Sequence, residues 1–226
     1  MQTEFEIIKK HSIDRKAMIC DRSLTLLLIT IYFTNAIYGL ASPFLPQVLE
    51  QKNIQSVWTG VIFSAYAIAS TISAIVTGKV LNSIGHGPVI TFGGFLMAGS
   101  IVGFGFLEYF DKPASVISIA IVLRLCQGTA SGMINTAAYA FASTAYTDDV
   151  DKVISIMEAI VGLGCAMGPV LGSFVYVAVG FQNTFVIFGL ALTPIAILIL
   201  CLLKKPQDIK NNNQIEGEDD EAYEQT

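Results

Sequence analysis

Arg124 and Glu158 stand inside long apolar stretches of this chain. A charge in hydrocarbon costs roughly 2.5–3.5 kcal/mol on insertion scales, so each is expected to face a cavity or a partner rather than lipid. An ionisable residue held there is on that ground a candidate for function. At 1.5 Å per residue Arg124 falls about 15 Å from one end of its helix, and Glu158 about 10 Å from the opposite end of the next. Those depths suggest that the two residues pair.

Arg124 is followed by Gln127, Ser131, Asn135 and Tyr139 at spacings of three or four, which puts all five on one helical stripe. Thr30, Thr34, Tyr38 and Ser42 form a comparable stripe earlier in the chain, with Asn35 beside it. Two such stripes facing each other would line an aqueous path; the plainer reading is hydrogen bonding between helices. Gly164, Gly168 and Gly172 recur at four-residue steps around Pro169, so one helical face is almost bare and a neighbouring backbone can approach closely. Pro169 removes a backbone donor and bends that helix.

The elements that position these residues follow from the apolar runs. About 20 mainly apolar residues cross about 30 Å of hydrocarbon, and runs of that length occur at 24–46, 57–80, 88–108, 115–145, 152–177 and 183–203. Short polar breaks separate them, each too short for a domain. The chain reads as an all-α membrane protein: a leader over 1–22, a transmembrane domain of about six helices over 23–204, and a disordered acidic tail over 205–226.

Of 226 residues, 53% are hydrophobic and only 14% charged. The net charge of -5 comes largely from the acidic tail, which argues against nucleic acid as a partner and leaves the lipid bilayer as the surrounding phase. Lys and Arg cluster in the leader, at Lys79, at Lys152 and in the tail, with only Lys52 and Lys112 opposite. Both termini therefore read as cytoplasmic, in a plasma, vesicle or vacuole membrane. The leader contains no apolar core ending in a cleavage-type site.

Enzymatic chemistry finds little support. His11 and His86 fall outside the runs, so a Ser–His pair within the bilayer is not available. A phosphate-binding G-x-x-x-x-G-K-[ST] loop is absent from the sequence. Cys126, Cys165 and Cys201 lie in apolar runs and Cys20 in the leader, a pattern of free thiols. No cofactor or metal is expected.

Three segments, in order, resemble signatures of the major facilitator superfamily. "GKVLNSIGHGPVI" at 78–90 is similar to its G-x-x-x-D-R-x-G-R-R loop: Gly78 and Gly85 match, Asn82 stands at the acidic position and Ser83 at the following basic one. "RLCQGTASG" at 124–132 is similar to R-L-x-Q-G-x-x-x-G, with Arg124, Leu125, Gln127, Gly128 and Gly132 matching. "GLGCAMGPVLGS" at 162–173 resembles the antiporter pattern G-x-G-x-x-x-G-P-x-x-G-G, with Ser173 in place of the last glycine.

The resemblance implies the N-terminal six-helix half of such a transporter, built as a three-plus-three repeat, in or near the drug/proton antiporter and vesicular amine or polyamine branch. It implies proton-coupled antiport of a small solute such as an organic cation or amine. Arg124, Gln127 and Glu158 would serve transport and proton coupling, and Asn35, Tyr38, Ser131 and Asn135 would line the cavity. Gly78, Asn82, Gly85, Gly164, Gly168, Pro169 and Gly172 would serve gating and packing. A half supplies one wall of the cavity, so a homodimer or a second half is expected to close it. The alternative is a non-transporting regulatory subunit, or a fragment of a full-length transporter.

Overall fold

The computed structural model describes residues 22–147 and 149–203. The expected tail and all of the expected leader except Arg22 lie outside the described residues. Six helices carry the fold: α1 (Arg22–Gln51), α2 (Val57–Ile84), α3 (His86–Gly105, extended by a 3-10 turn Phe106–Tyr109), α4 (Pro113–Ala145), α5 (Val150–Val179) and α6 (Phe181–Leu202). All six are long and apolar enough to cross a bilayer.

The helices outrun their apolar runs. α1 continues through Pro43 and Pro46 to Gln51, because Phe44, Leu45, Val48 and Leu49 on its far turns are buried and reward helical continuation. Two expected loops shrink to one residue each. Gly85 (φ 92°) joins α2 to α3 and Gly180 (φ 81°) joins α5 to α6, a backbone region in which a side chain would be strained.

Except for α3 and α4, helices adjacent in the chain touch little. The extensive interfaces are α1 with α5, α2 with α4, and α3 with both α6 and α4. Exchanging α1 with α4, α2 with α5 and α3 with α6 turns the first of these pairs into the second and returns α3–α6 to itself. The same exchange carries Gly85 to Gly180, so the packing has the form of a three-plus-three repeat.

Both exchanged interfaces are glycine contacts. A Cβ on Gly128 or Gly132 of α4 would lie 2.2 or 2.4 Å from the Tyr66 or Ser70 carbonyl oxygen of α2. On α5, Cβ atoms at Gly164 and Gly168 would come within 2.7 and 2.2 Å of the Tyr32 and Ala36 oxygens of α1, and one at Gly172 within 2.1 Å of Leu40. Backbones meet here with no side chain between them, the means by which helices associate where lipid and leucine are equally apolar.

Two apolar clusters fill the bundle. One gathers around Leu40, Leu45, Ile101, Phe104 and Phe185, the other around Leu27, Ile31, Ile90, Phe141 and Met157. On α4 the first is interrupted, between Ala120 and Ala130, by buried Arg124 and Gln127.

One end of the bundle is stitched across its connections. Lys52 Nζ donates to the Glu108 and Phe110 carbonyls at 3.0 and 2.7 Å, and Tyr109 Oη donates to Gln182 Oε1 at 2.7 Å. The α1–α2 connection is thereby held to the α3–α4 connection, and that to the start of α6. Lys52→Met is expected to lower the melting temperature in detergent by only about 2 °C, since these bonds are exposed. Amide exchange over 106–112 should nevertheless rise clearly.

Candidate functional site: a ring-caged arginine beside an open groove

Arg124 sits three turns into α4 and is fully buried. Its Nη1 donates to Gln127 Oε1 at 3.1 Å, the bond that the i, i+3 spacing allows. Cζ lies 4.7, 5.2 and 5.8 Å from the ring centroids of Phe63, Phe104 and Tyr66. Nε and Nη2 have no hydrogen-bond partner, so the charge rests on ring faces, each contributing up to about 2 kcal/mol when desolvated.

Arg124 does not pair with Glu158. Tyr139 Oη donates to Glu158 Oε1 at 2.8 Å instead, and Glu158 is exposed on α5. The reason is register in an antiparallel pair. α4 has 33 residues, so Arg124 lies about 31 Å from the end that turns into α5, whereas Tyr139 lies about 9 Å from it. Glu158 lies about 12 Å into α5 and matches Tyr139, not Arg124. The remaining acids among the described residues, Glu50, Glu108, Asp111, Asp149 and Asp151, lie at helix ends or in connections. One ion pair there, Lys152 with Asp149, joins the α4–α5 connection to the first turn of α5.

The rest of the α4 stripe continues from the arginine. Asn135 Nδ2 donates to Ser131 Oγ at 3.2 Å, and Ser131 lies beside the Tyr66 hydroxyl. The Tyr66 ring lies 4.6 Å from that of Tyr38 on α1, tilted by 31°. Tyr66 of α2 thus links the α4 stripe to the α1 stripe. Gln127 Nε2, Asn135 Oδ1 and Thr34 Oγ1 are buried without partners, and Thr30 returns its hydroxyl to the Leu26 carbonyl at 2.8 Å.

Beside this cluster an open groove of about 320 Å³ runs between α1, α2 and α5, lined by Tyr38, Gly39, Ser42, Phe63, Cys165 and Pro169. Asn35 adjoins it: its Nδ2 donates to the Ile31 carbonyl at 2.8 Å, and the Cys165 thiol lies 3.9 Å from its Oδ1. Gly164, Gly168, Pro169 and Gly172 seat α5 on α1 behind the groove. Gly78 and Asn82 are exposed near the end of α2, with open space around Gly78, and Gly85 forms the turn that follows.

The structure therefore brings Arg124, Gln127, Ser131, Asn135, Tyr38 and Asn35 into one connected cluster and leaves Glu158 several turns from Arg124, on Tyr139 one turn beyond Asn135. Phe63, Tyr66 and Phe104 escaped the sequence reading. The available signal was Phe63 and Tyr66 at one-turn spacing with Ser70 and Ser73, an amphipathic stripe on an otherwise apolar helix. Cys165 reads as a plain thiol in the sequence and proves to line the groove. Among the described residues no cluster of His, Cys, Asp and Glu could hold a metal ion.

The family model described as Major Facilitator Superfamily matches residues 15–223. Among curated proteins the chain is 28% identical over 166 residues to the MFS-type transporter SLC18B1 of Rattus norvegicus, covering 74% of this chain and 36% of the relative. It is 25% identical to the multi-drug resistance efflux pump PmrA of Streptococcus pneumoniae, covering 77% and 43%. With multidrug resistance protein 1 of Bacillus subtilis it shares 22% identity over 87% of this chain and 49% of the relative. The chain thus spans between about a third and a half of the length of these relatives.

Proposed function

We propose that this chain, which belongs to the Major Facilitator Superfamily and is an integral multi-pass membrane protein, moves a small solute across the bilayer by alternating access, driven by proton antiport. The observation that carries this reading is Arg124, a buried cation next to an open groove and far from every described carboxylate. A charge so placed is retained at a cost, and in membranes such residues mark solute and ion paths. The antiporter-like segment around Gly164, Gly168, Pro169 and Gly172, and the names of the efflux-pump relatives, support exchange rather than uniport.

In this reading Arg124 and Gln127 set the electrostatics of the site, and Tyr38, Asn35, Ser131 and Asn135 form its wall. Glu158, exposed on α5 and steadied by Tyr139, takes up and releases the proton. The Gly78, Asn82 and Gly85 segment works as the gate at the end of the bundle where α1 begins and α6 ends, read as cytoplasmic from the charge bias of the sequence. The solute is an organic cation or amine. The groove is walled by three helices and open on its remaining side, which supports closure by a second half, either another copy of this chain or a separate polypeptide.

Uptake of an amine panel into liposomes containing the chain alone tests the reading. Glu158→Gln is expected to abolish stimulation by a proton gradient while leaving solute counterflow within about threefold of wild type. Equal loss of both activities would show that Glu158 supports the fold rather than the proton.

Asn82 and Ser83 give a second reading its specific support. They leave uncharged the positions at which the resembled loop carries an acid and a base, as fits a half-size subunit that binds a full-length relative and regulates it. Folded protein with no uptake that migrates only with such a relative would favour this alternative.

A further inference from the structure

Three of the residues lining the groove share a backbone property. Proline has no N–H and so removes the hydrogen bond to the carbonyl four residues before it. Pro43 does this to Gly39, Pro46 to Ser42 and Pro169 to Cys165, and all three of those residues line the groove. The Cys165 oxygen is the most closely packed of the three, since a Cβ on Gly39 would lie 2.6 Å from it, which leaves the Gly39 and Ser42 carbonyls as the better acceptors. Backbone acceptors at membrane depth must find a donor, and interrupted helices in transporters use such carbonyls for binding.

The charge next to the groove is positive. Phe63 lines it and carries the Arg124 guanidinium 4.7 Å from its ring centroid, while Tyr38 stacks on Tyr66, which also faces that guanidinium. No lining residue is acidic. A cationic ring stacked on the far face of Phe63 adds an aromatic stacking distance of about 4.5 Å to the 4.7 Å between Phe63 and Arg124. At that separation of roughly 9 Å and an effective dielectric constant of about 20 its binding would weaken about twentyfold.

We infer that the groove binds an uncharged planar ring bearing a hydrogen-bond donor at its edge, held between Tyr38 and Phe63 and donating to the proline-freed carbonyls. The inference rests on the transport reading only in taking this groove as part of the solute path. An aromatic amine enters ring first, and its ammonium group stays outside the groove, away from Arg124.

Cys165 supplies the readout, as a partly exposed thiol in the groove wall. In the full chain carrying alanine at Cys20, Cys126 and Cys201, reconstituted in nanodiscs, maleimide labelling of Cys165 would be followed against three two-ring probes. 2-Naphthol is neutral and a donor, 2-methoxynaphthalene is neutral without a donor, and N-methylquinolinium carries its charge in the ring. 2-Naphthol should protect at the lowest concentration. 2-Methoxynaphthalene should need about fivefold more and N-methylquinolinium about twentyfold more. In Arg124→Gln the penalty on the cation should fall to about threefold or less.

N-methylquinolinium protecting as well as 2-naphthol, or methylation of the hydroxyl having no effect, would overturn the assignment. The wild-type ranking decides this even if the Arg124 variant fails to fold. Labelling protection does not require flux, so loss of uptake with the ranking intact would sink the transport proposal alone, and uptake without the ranking would sink this one alone.

Discussion

Arg124→Ala is expected to reduce proton-driven uptake on the order of a hundredfold, the size of effect that follows when a charged hydrogen-bonding group is removed from a desolvated site. The reason is the surroundings of the residue. Its charge is held by the rings of Phe63, Tyr66 and Phe104 and by one bond to Gln127, so deletion empties the centre of that cage. Arg124→Lys should recover less than about a tenth of the loss. An ammonium is a compact point charge, whereas the planar guanidinium stacks on rings and reaches Gln127 at the same time. Uptake per folded molecule, normalised by size-exclusion chromatography, is the measurement. Wild-type uptake in a folded alanine variant would reduce Arg124 to a packing element.

Gly168→Val is expected to prevent α1 and α5 from docking. The new Cβ would lie 2.2 Å from the Ala36 oxygen, with Ala36 C and Leu40 N at 3.0 Å, so every obstacle is backbone and none can rotate away. The helices would have to part by about 1 Å or more, and overpacking of this kind costs typically 1–3 kcal/mol, occasionally more. Here the separation also loosens the contacts of Gly164 and Gly172 on the same face. Loss of the monodisperse peak in detergent, or a melting temperature lowered by more than about 10 °C, is the expected result. Gly162→Val on the same helix is the matched control, since nothing lies within 4 Å of a Cβ there. Equal behaviour of the two variants would show that the glycine face is not what holds α5.

The six spans and their order were legible because an apolar run of bilayer length has few other uses. Their ends were less so: the capacity of α1 to run through Pro46 depends on what Val48 and Leu49 bury, a tertiary fact. That Arg124 and Gln127 share one face of one helix could be read directly from their spacing, and their bond follows from it. The partner of Glu158 could not, because antiparallel register depends on the full length of α4. The ring cage was hidden for a further reason. Phe63 and Phe104 come from different helices, and an aromatic residue in an apolar run looks alike whether it meets lipid or a guanidinium.

The pairing of α1 with α5, α2 with α4 and α3 with α6 has a consequence for how the chain is made. The first three helices emerge from the ribosome with almost nothing to hold one another, because each finds its main partner in the second triplet. They must wait side by side in the lipid as separate spans until α4 and α5 are inserted with the glycine faces on which α2 and α1 dock. Assembly then proceeds as an interlocking of two triplets rather than as helix-by-helix growth. A nascent chain halted after Gly105 should accordingly be inserted but unpacked, and open to degradation by membrane quality control.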